Sequence, residues 1–368
     1  MTNEPEATSL RGKLHISVAF DWGEEIDLVA AAALVPSEVQ SLPRRRRTPP
    51  SIHYHSPPLL VKLAAVAIDL PEIGQVEASC DATVFDFGAV NVVFRIPFQL
   101  TKDQVSSLAD FLAEPAALIE SARAAATPLH EKFRRAIKNP AWCDLTEEYF
   151  VFQFEPGSIP GPSFHQFVDD SAEWLAGILR LDSSPLAEEE VAEALKRRIA
   201  YTPTDLVIVE WAAAIVIDEA CADTLQTIEF ANAQLLEFRY IDRRCDATLT
   251  EAYGLIHPLA QSRLPFWGLQ SQPLRVLGDL RIDAVVLFSR TGNALKLVGD
   301  QYLARLYRML SEQFHLEEWT RGIQESLHEA QGVYEILHEE AAAARTELLE
   351  IIVVLLILIE ILLSIFAH

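Results

Sequence analysis

The sequence predicts an α+β fold, with β-hairpin and helix units in a soluble region, then long C-terminal helices ending in a single transmembrane helix. Three observations predict it. Segments 13–21, 76–98 and 147–155 are rich in β-branched and aromatic residues, the composition of strands. From Leu274 onward the apolar residues recur at helical spacing. Residues 351–367 are apolar except for Glu360 and Ser364. The expected domains are an N-terminal strand region with a Pro/Arg-rich linker (1–58), an α+β domain (59–270), a helical coiled-coil-like region (274–347) and the membrane helix (348–367).

In chain order, KLHISVAFD at 13–21 reads as a strand. SLPRRRRTPPSIHYHSPP at 41–58 reads as a linker, because its five prolines hold extended backbone and leave little to pack. The apolar run 59–70 is strand or helix, and periodicity alone does not arbitrate. VEASCDATVFDF and AVNVVFRIPF form a predicted hairpin about Gly88. Thr101 is the expected cap of a helix that runs to Ile137, divided by Pro115 and Pro128. A strand at 147–155 and two short helices near 165–180 and 185–197 follow. Residues 206–218 hold at least one strand, and a long helix starts near Ala222. Strand-rich segments followed by helices thus occur twice, near 76–137 and 206–250, the pattern of a duplicated unit. Further helices are expected at 274–290, after a Thr-Gly-Asn turn at 294–314, and from Leu316.

The chain has 368 residues, with 53 acidic against 30 basic side chains and a formal net charge of −23, yet half of it is hydrophobic. That excludes a disordered acidic chain. The charge argues against nucleic acid as the main partner, since phosphate contacts require clustered Lys and Arg. Cys80, Cys143, Cys221 and Cys245 are scattered, which suits a reducing compartment better than a disulfide framework or a zinc ribbon. The N-terminus has no apolar stretch of a secretory signal, and Glu4 and Glu6 disfavour a transit peptide.

Ala330, Tyr334, Leu337, Ala341, Ala344 and Leu348 alternate at spacings of four and three, a heptad seam. Such a seam packs against another helix, either the preceding one or that of a second subunit. Beyond it, twenty residues from 348 to 367 would reach about 30 Å, the thickness of a bilayer core. The expected arrangement is therefore tail-anchored, in a bacterial inner membrane, with the remainder of the chain on the cytoplasmic side. Glu350, Val353, Ile357, Glu360, Ser364 and Ala367 form one stripe, which points to tails that associate around Glu360.

Other candidates are weaker. Arg44 to Arg47 offer anionic lipid or RNA phosphate a basic block, although beside prolines a solvated loop is the plainer reading. His53 and His55 form an HxH pair with no third ligand nearby. Asp169 and Asp170 after His165, and the run Glu188, Glu189 and Glu190, read as helix turns or solvated faces. His257 reads as structural. GxSxG, P-loop, GxGxxG and HExxH patterns are absent, so no catalytic, cofactor or metal residues are expected, and no enzyme.

The stretch NALKLVGDQYLARLYR at 293–308, then Phe314-His315-Leu316, then Glu347 to Glu350 leading into the apolar tail, resembles the family of the required-for-meiotic-nuclear-division proteins of fungi and animals. The hairpin VFDFGAVNVVFRI at 84–96 and LQTIEFANAQLLEFRY at 225–240 are similar to the same family. Asn91 and Arg95 depart from its more apolar strand, and residues 1–75 find no clear match. The resemblance implies a homo-oligomeric membrane protein linked to translation, with no established catalytic residues. The expected function is a membrane-anchored, non-enzymatic homo-oligomeric scaffold or assembly factor whose partners are itself and the bilayer. The alternatives are a pore lined by Glu360 and a translation-linked RNA- or ribosome-associated membrane factor.

Overall fold

The structure is a computed structural model that describes residues 9–40, 57–261, 282, 284–285 and 301–366. Residues 41–56 of the expected linker 41–58, with Arg44 to Arg47, His53 and His55, lie outside them, as do nearly all of 274–300. The described residues group into two compact units, one within Met1–Glu237 and Ser289–Glu317, the other within Phe238–Phe288 and Glu318–His368.

The first unit opens with β1 (Leu10–Asp21), β2 (Glu25–Ile26), α1 (Leu28–Leu34), β3 (Val39–Gln40), β4 (Leu59–Lys62) and β5 (Val66–Leu70). The apolar run 59–70 is thus two strands. The hairpin β6 (Gly74–Val84) and β7 (Ala89–Leu100) follows, as its sequence predicts. Gly88, at the turn, has φ +104°, and a Cβ there would lie 1.9 Å from the Gly23 carbonyl oxygen. No side chain fits that approach.

Next come α2 (Lys102–Leu112), α3 (Ala116–Phe133), β8 (Ile137–Lys138) and β9 (Thr146–Phe154). Thr101 caps α2 as expected. Its Oγ1 accepts from Gln104 N at 3.4 Å, and its own N–H donates to Gln104 Oε1 at 2.9 Å, a capping box. The chain breaks at Pro115 but not at Pro128, which sits inside α3. Proline removes one helical hydrogen bond there, while Ala126, Leu129, His130 and Phe133 stay buried on either side and hold the helix together. The unit continues through α4 (Phe164–Asp170), α5 (Ala172–Arg180), α6 (Glu188–Ala194), β10 (Arg198–Ile199), β11 (Leu206–Val209) and β12 (Ala213–Ile217). Further along come α7 (Ala222–Gln261), α8 (Gln301–Gln313) and α9 (Leu316–Phe366).

Ten strands form one sheet in the order β10-β11-β12-β9-β1-β7-β6-β4-β3, with β5 also paired to β6. All of its pairings are antiparallel except β12 with β9. β1 is central: it pairs over its whole length with β7 and from Gly12 to Phe20 with β9. Successive side chains of a strand point to opposite faces. Leu14, Ile16, Val18 and Phe20 therefore join Val92, Phe94, Phe152 and Phe154 in the main core, with Leu108 of α2, Phe133 of α3 and Leu179 of α5. The other face carries His15, Ser17, Asn91 and Arg95, and the first part of α7 lies over it through hydrogen bonds from Thr83 to Glu229 and from Asn232 to the Glu147 carbonyl. Phe85 and Phe87 meet Phe230 of α7 there. The fold is mixed α/β around one large sheet.

In the second unit, Phe238, Ile241 and Cys245 of α7 and Ile323, Ala330 and Val333 of α9 are buried. Helix α9 is 51 residues long and starts where the sequence predicts. The transmembrane expectation is corrected. Among the described residues no helix is long and apolar enough to cross a membrane. A span needs about 20 apolar residues over about 30 Å. The unbroken apolar run between Glu350 and Glu360, Ile351 to Ile359, reaches about 14 Å at about 1.5 Å per residue. The single-pass, tail-anchored arrangement and the inner-membrane location rested on that span, and they fall with it.

Candidate functional site

Helix α9 holds every residue that the sequence singles out for assembly except Ala367, which lies outside the described residues. Glu350, Val353 and Ile357 are exposed on it. Glu360 and Ser364 are helical, but their side chains lie outside those described. So do the seam side chains Tyr334, Leu337, Ala341, Ala344 and Leu348. Ala330, at the head of the seam, is buried.

The described side chains show an apolar surface larger than the seam. Leu349, Ile351 to Ile359 and Ile361 are all exposed, from 43 % at Ile352 to 65 % at Val354. Consecutive residues on a helix turn about 100°, so this exposure runs round every side. A monomer ordinarily shows no apolar patch beyond roughly 300–600 Å², and larger ones mark interaction surfaces.

The other predicted candidates lie on other elements. His165, Asp169 and Asp170 are exposed on α4, and Glu188, Glu189 and Glu190 form the first turn of α6. His257 lies on α7, its side chain outside those described. Among the described residues no group of three or more His, Cys, Asp or Glu side chains is placed to hold a metal ion.

The tertiary structure adds a buried polar strip between the sheet and α7. His15 Nε2 and Gln153 Oε1 are 2.9 Å apart. Ser17 donates to Asn91 Oδ1 at 2.8 Å, Arg95 pairs with Asp81, and Thr83 donates to Glu229 Oε2 at 3.0 Å. Burial pushes the His15 imidazole down to about 4, which leaves it neutral over the ordinary range. Burial likewise raises the Glu229 carboxyl, against the attraction of Arg95. These polar groups face inward to one another. Their partners span up to 146 positions of sequence, so no local motif announces them, although the polar-apolar alternation of His15-Ile16-Ser17-Val18 marks the face they occupy.

A second polar node sits at the turn between β11 and β12. The buried Glu210 carboxylate lies 2.8 Å from Arg180 Nε, and Arg180 Nη1 lies 2.8 Å from Glu190 Oε2. Glu210 Oε2 also accepts from Trp211 N at 2.6 Å and from Gln313, and the Tyr149 hydroxyl donates to the Glu210 carbonyl at 2.7 Å. Burial raises the Glu210 carboxyl, and the Trp211 N–H and the Arg180 charge oppose that. The node holds Trp211, 60 % exposed, at the tip of the hairpin.

A family model described as "Uncharacterized protein MJ0711, N-terminal domain" matches residues 11–224, from β1 to the start of α7. The uncharacterized protein MJ0711 of Methanocaldococcus jannaschii is 29 % identical over 223 residues, which are 59 % of this chain and 66 % of that relative. The match therefore spans just under two thirds of the relative's length. No solved structure matches. These findings carry an uncharacterised family; they do not carry the link to the meiotic-division proteins.

Proposed function

The chain belongs to the family of the MJ0711 N-terminal domain, and from that premise we propose that it is a non-enzymatic homo-oligomeric scaffold. One observation carries the reading: the apolar surface at Leu349, Ile351 to Ile359 and Ile361 is exposed on all sides of α9 in the single chain. Its occupant is the same helix of further copies. The heptad spacing from Ala330 to Leu348 leads directly into this surface, and a heptad seam is built for a like helix. A symmetric assembly also limits association to a closed number of copies. The acidic charge of −23 keeps the remaining surfaces apart by like-charge repulsion.

We also infer kinship with the required-for-meiotic-nuclear-division proteins. The segment that suggests it ends in α8, where Tyr302, Leu303, Leu306 and Tyr307 are buried, and Tyr307 donates to Gln234 at 2.5 Å. From Gln301 onward that segment is therefore packed, with a structural reason for its residue types.

The test is the solution mass of the full-length chain by light scattering, beside a full-length variant carrying Leu349→Gln, Ile352→Gln and Leu356→Gln. The expected result is a multiple of 41.1 kDa for the native chain and a reduced mass for the variant. A monomeric native chain, or a variant of unchanged mass, would overturn the scaffold reading.

A further inference from the structure

Where β1 ends, six side chains from three parts of the chain meet. β1 supplies Phe20 and its following residue Trp22, α3 supplies Arg123, His130 and Phe133, and the segment after β8 supplies Trp142. That last segment is tied to β1 through Ala141 N to the Trp22 carbonyl and Cys143 N to the Asp21 carbonyl, both 3.1 Å. The Trp142 ring lies 5.5 Å from Phe20, 5.6 Å from Trp22 and 4.9 Å from His130, and Trp22 lies 5.2 Å from His130.

Two features of this cluster lack their chemical complement. The first is that Trp22 Nε1, His130 Nε2 and Trp142 Nε1 are all buried without a hydrogen-bond partner; Trp22 itself is fully buried. Folded interiors hold few such atoms, and two indole donors in one ring cluster point to a common acceptor. The second is Arg123. Its guanidinium stacks 5.3 Å from both the Phe20 and Trp142 rings, and no carboxylate pairs with it among the described residues. In a chain with 53 acidic side chains, a half-buried arginine held on aromatic faces calls for an anion from outside.

We propose that Arg123, Trp22, Trp142 and His130 form a binding site for a small carboxylate. An indole N–H only donates, and a guanidinium presents a planar fork that matches the two oxygens of a carboxylate. Burial lowers the His130 imidazole below its ordinary value, against the pull of Glu131, whose carboxylate lies 3.8 Å from Nδ1. The single proton of the neutral ring faces Glu131, so His130 lines the site as a ring, and the donors to the anion are the two indole N–H groups and Arg123. One cation balances one carboxylate charge. A phosphate dianion would bring a second charge into a largely dry site, at a desolvation cost that the cluster does not offset. Arg123 and Trp142 are both partly exposed, which leaves the site a route to solvent.

The test is ¹H–¹⁵N NMR of the full-length chain titrated with sodium acetate at constant ionic strength. The six tryptophans give six indole N–H signals, of which Trp142→Phe identifies one. The expected result is a saturable downfield shift of the Trp22 and Trp142 signals, with the other four unmoved. Arg123→Gln should weaken the affinity at least tenfold, and Arg123→Lys, which keeps the charge but loses the fork, should weaken it less. The absence of a saturable shift, an equal shift of all six signals, or unchanged affinity in both Arg123 variants would overturn the proposal. Tighter saturation by inorganic phosphate would overturn the assignment to carboxylates.

Discussion

Thr83 on β6 donates a 3.0 Å hydrogen bond to the carboxylate of Glu229 on α7, 146 positions away, and so ties the polar face of the sheet to the helix that covers it. Glu229 is buried, and burial raises its carboxyl above the ordinary value. The folded protein thus holds this proton more tightly than the unfolded chain. Stability is greatest below the unfolded value and falls as pH rises through the folded one. Glu229→Gln keeps an acceptor for Thr83 and removes the charge. It should raise stability at neutral pH by about 1 kcal/mol and flatten that slope, as read by urea denaturation across pH 4–8. A variant less stable than the native chain at neutral pH would show that attraction to Arg95 outweighs burial.

His15 works in the opposite sense. Burial lowers it from an ordinary 6.5 to about 4, so unfolding takes up a proton between those values. The stability it contributes is present above about 6.5 and is lost as pH falls toward 4. The difference converts to roughly 3 kcal/mol. His15→Gln should remove most of that slope in the same measurement, and an unchanged slope would assign it to other groups.

Glu210→Ala removes the ion-pair partner of Arg180 and the acceptor of the Trp211 N–H at once. Arg180 keeps Glu190 and some exposure, so the loss should be about 2–3 kcal/mol, below that of a fully buried broken pair. Thermal unfolding measures it. The fluorescence anisotropy of the exposed Trp211 should fall, because the carboxylate that fixes its turn is gone.

Gly88→Ala should be the most damaging small substitution. The residue combines φ +104° with a neighbouring carbonyl 1.9 Å from any Cβ. A loss of more than about 3 kcal/mol is expected, seen as a collapse of yield or of Tm. A stable variant would mean that the Gly23 backbone yields.

Much of this architecture is legible in the chain. The hairpin 76–98 shows itself because each strand alternates and Gly88 supplies the turn, and Thr101 announces α2 because Gln104 stands three residues on. Residues 59–70 are not decidable locally, since a short apolar run suits either state until β6 offers both halves an edge to pair with. Pro128 misleads for a related reason: packing on both sides of it outweighs one lost helical bond.

The apolar tail shows the same division. Its helix and its all-round apolar surface follow from residue type, and the sequence reading of it as a membrane span does not survive in the described structure. The Glu210 node and the ring cluster around Arg123 have no local signature, and the alternation from His15 to Val18 marks the face of the polar strip but not its partners. Thr83 and Glu229, or Arg123 and Phe20, meet only because strand pairing and helix docking bring distant segments to one place. The sequence by itself determined the elements, because strand alternation, turns and caps act over a few residues. Only the tertiary structure decided which polar and aromatic groups face one another, because burial and hydrogen-bond partnership are properties of neighbours in space.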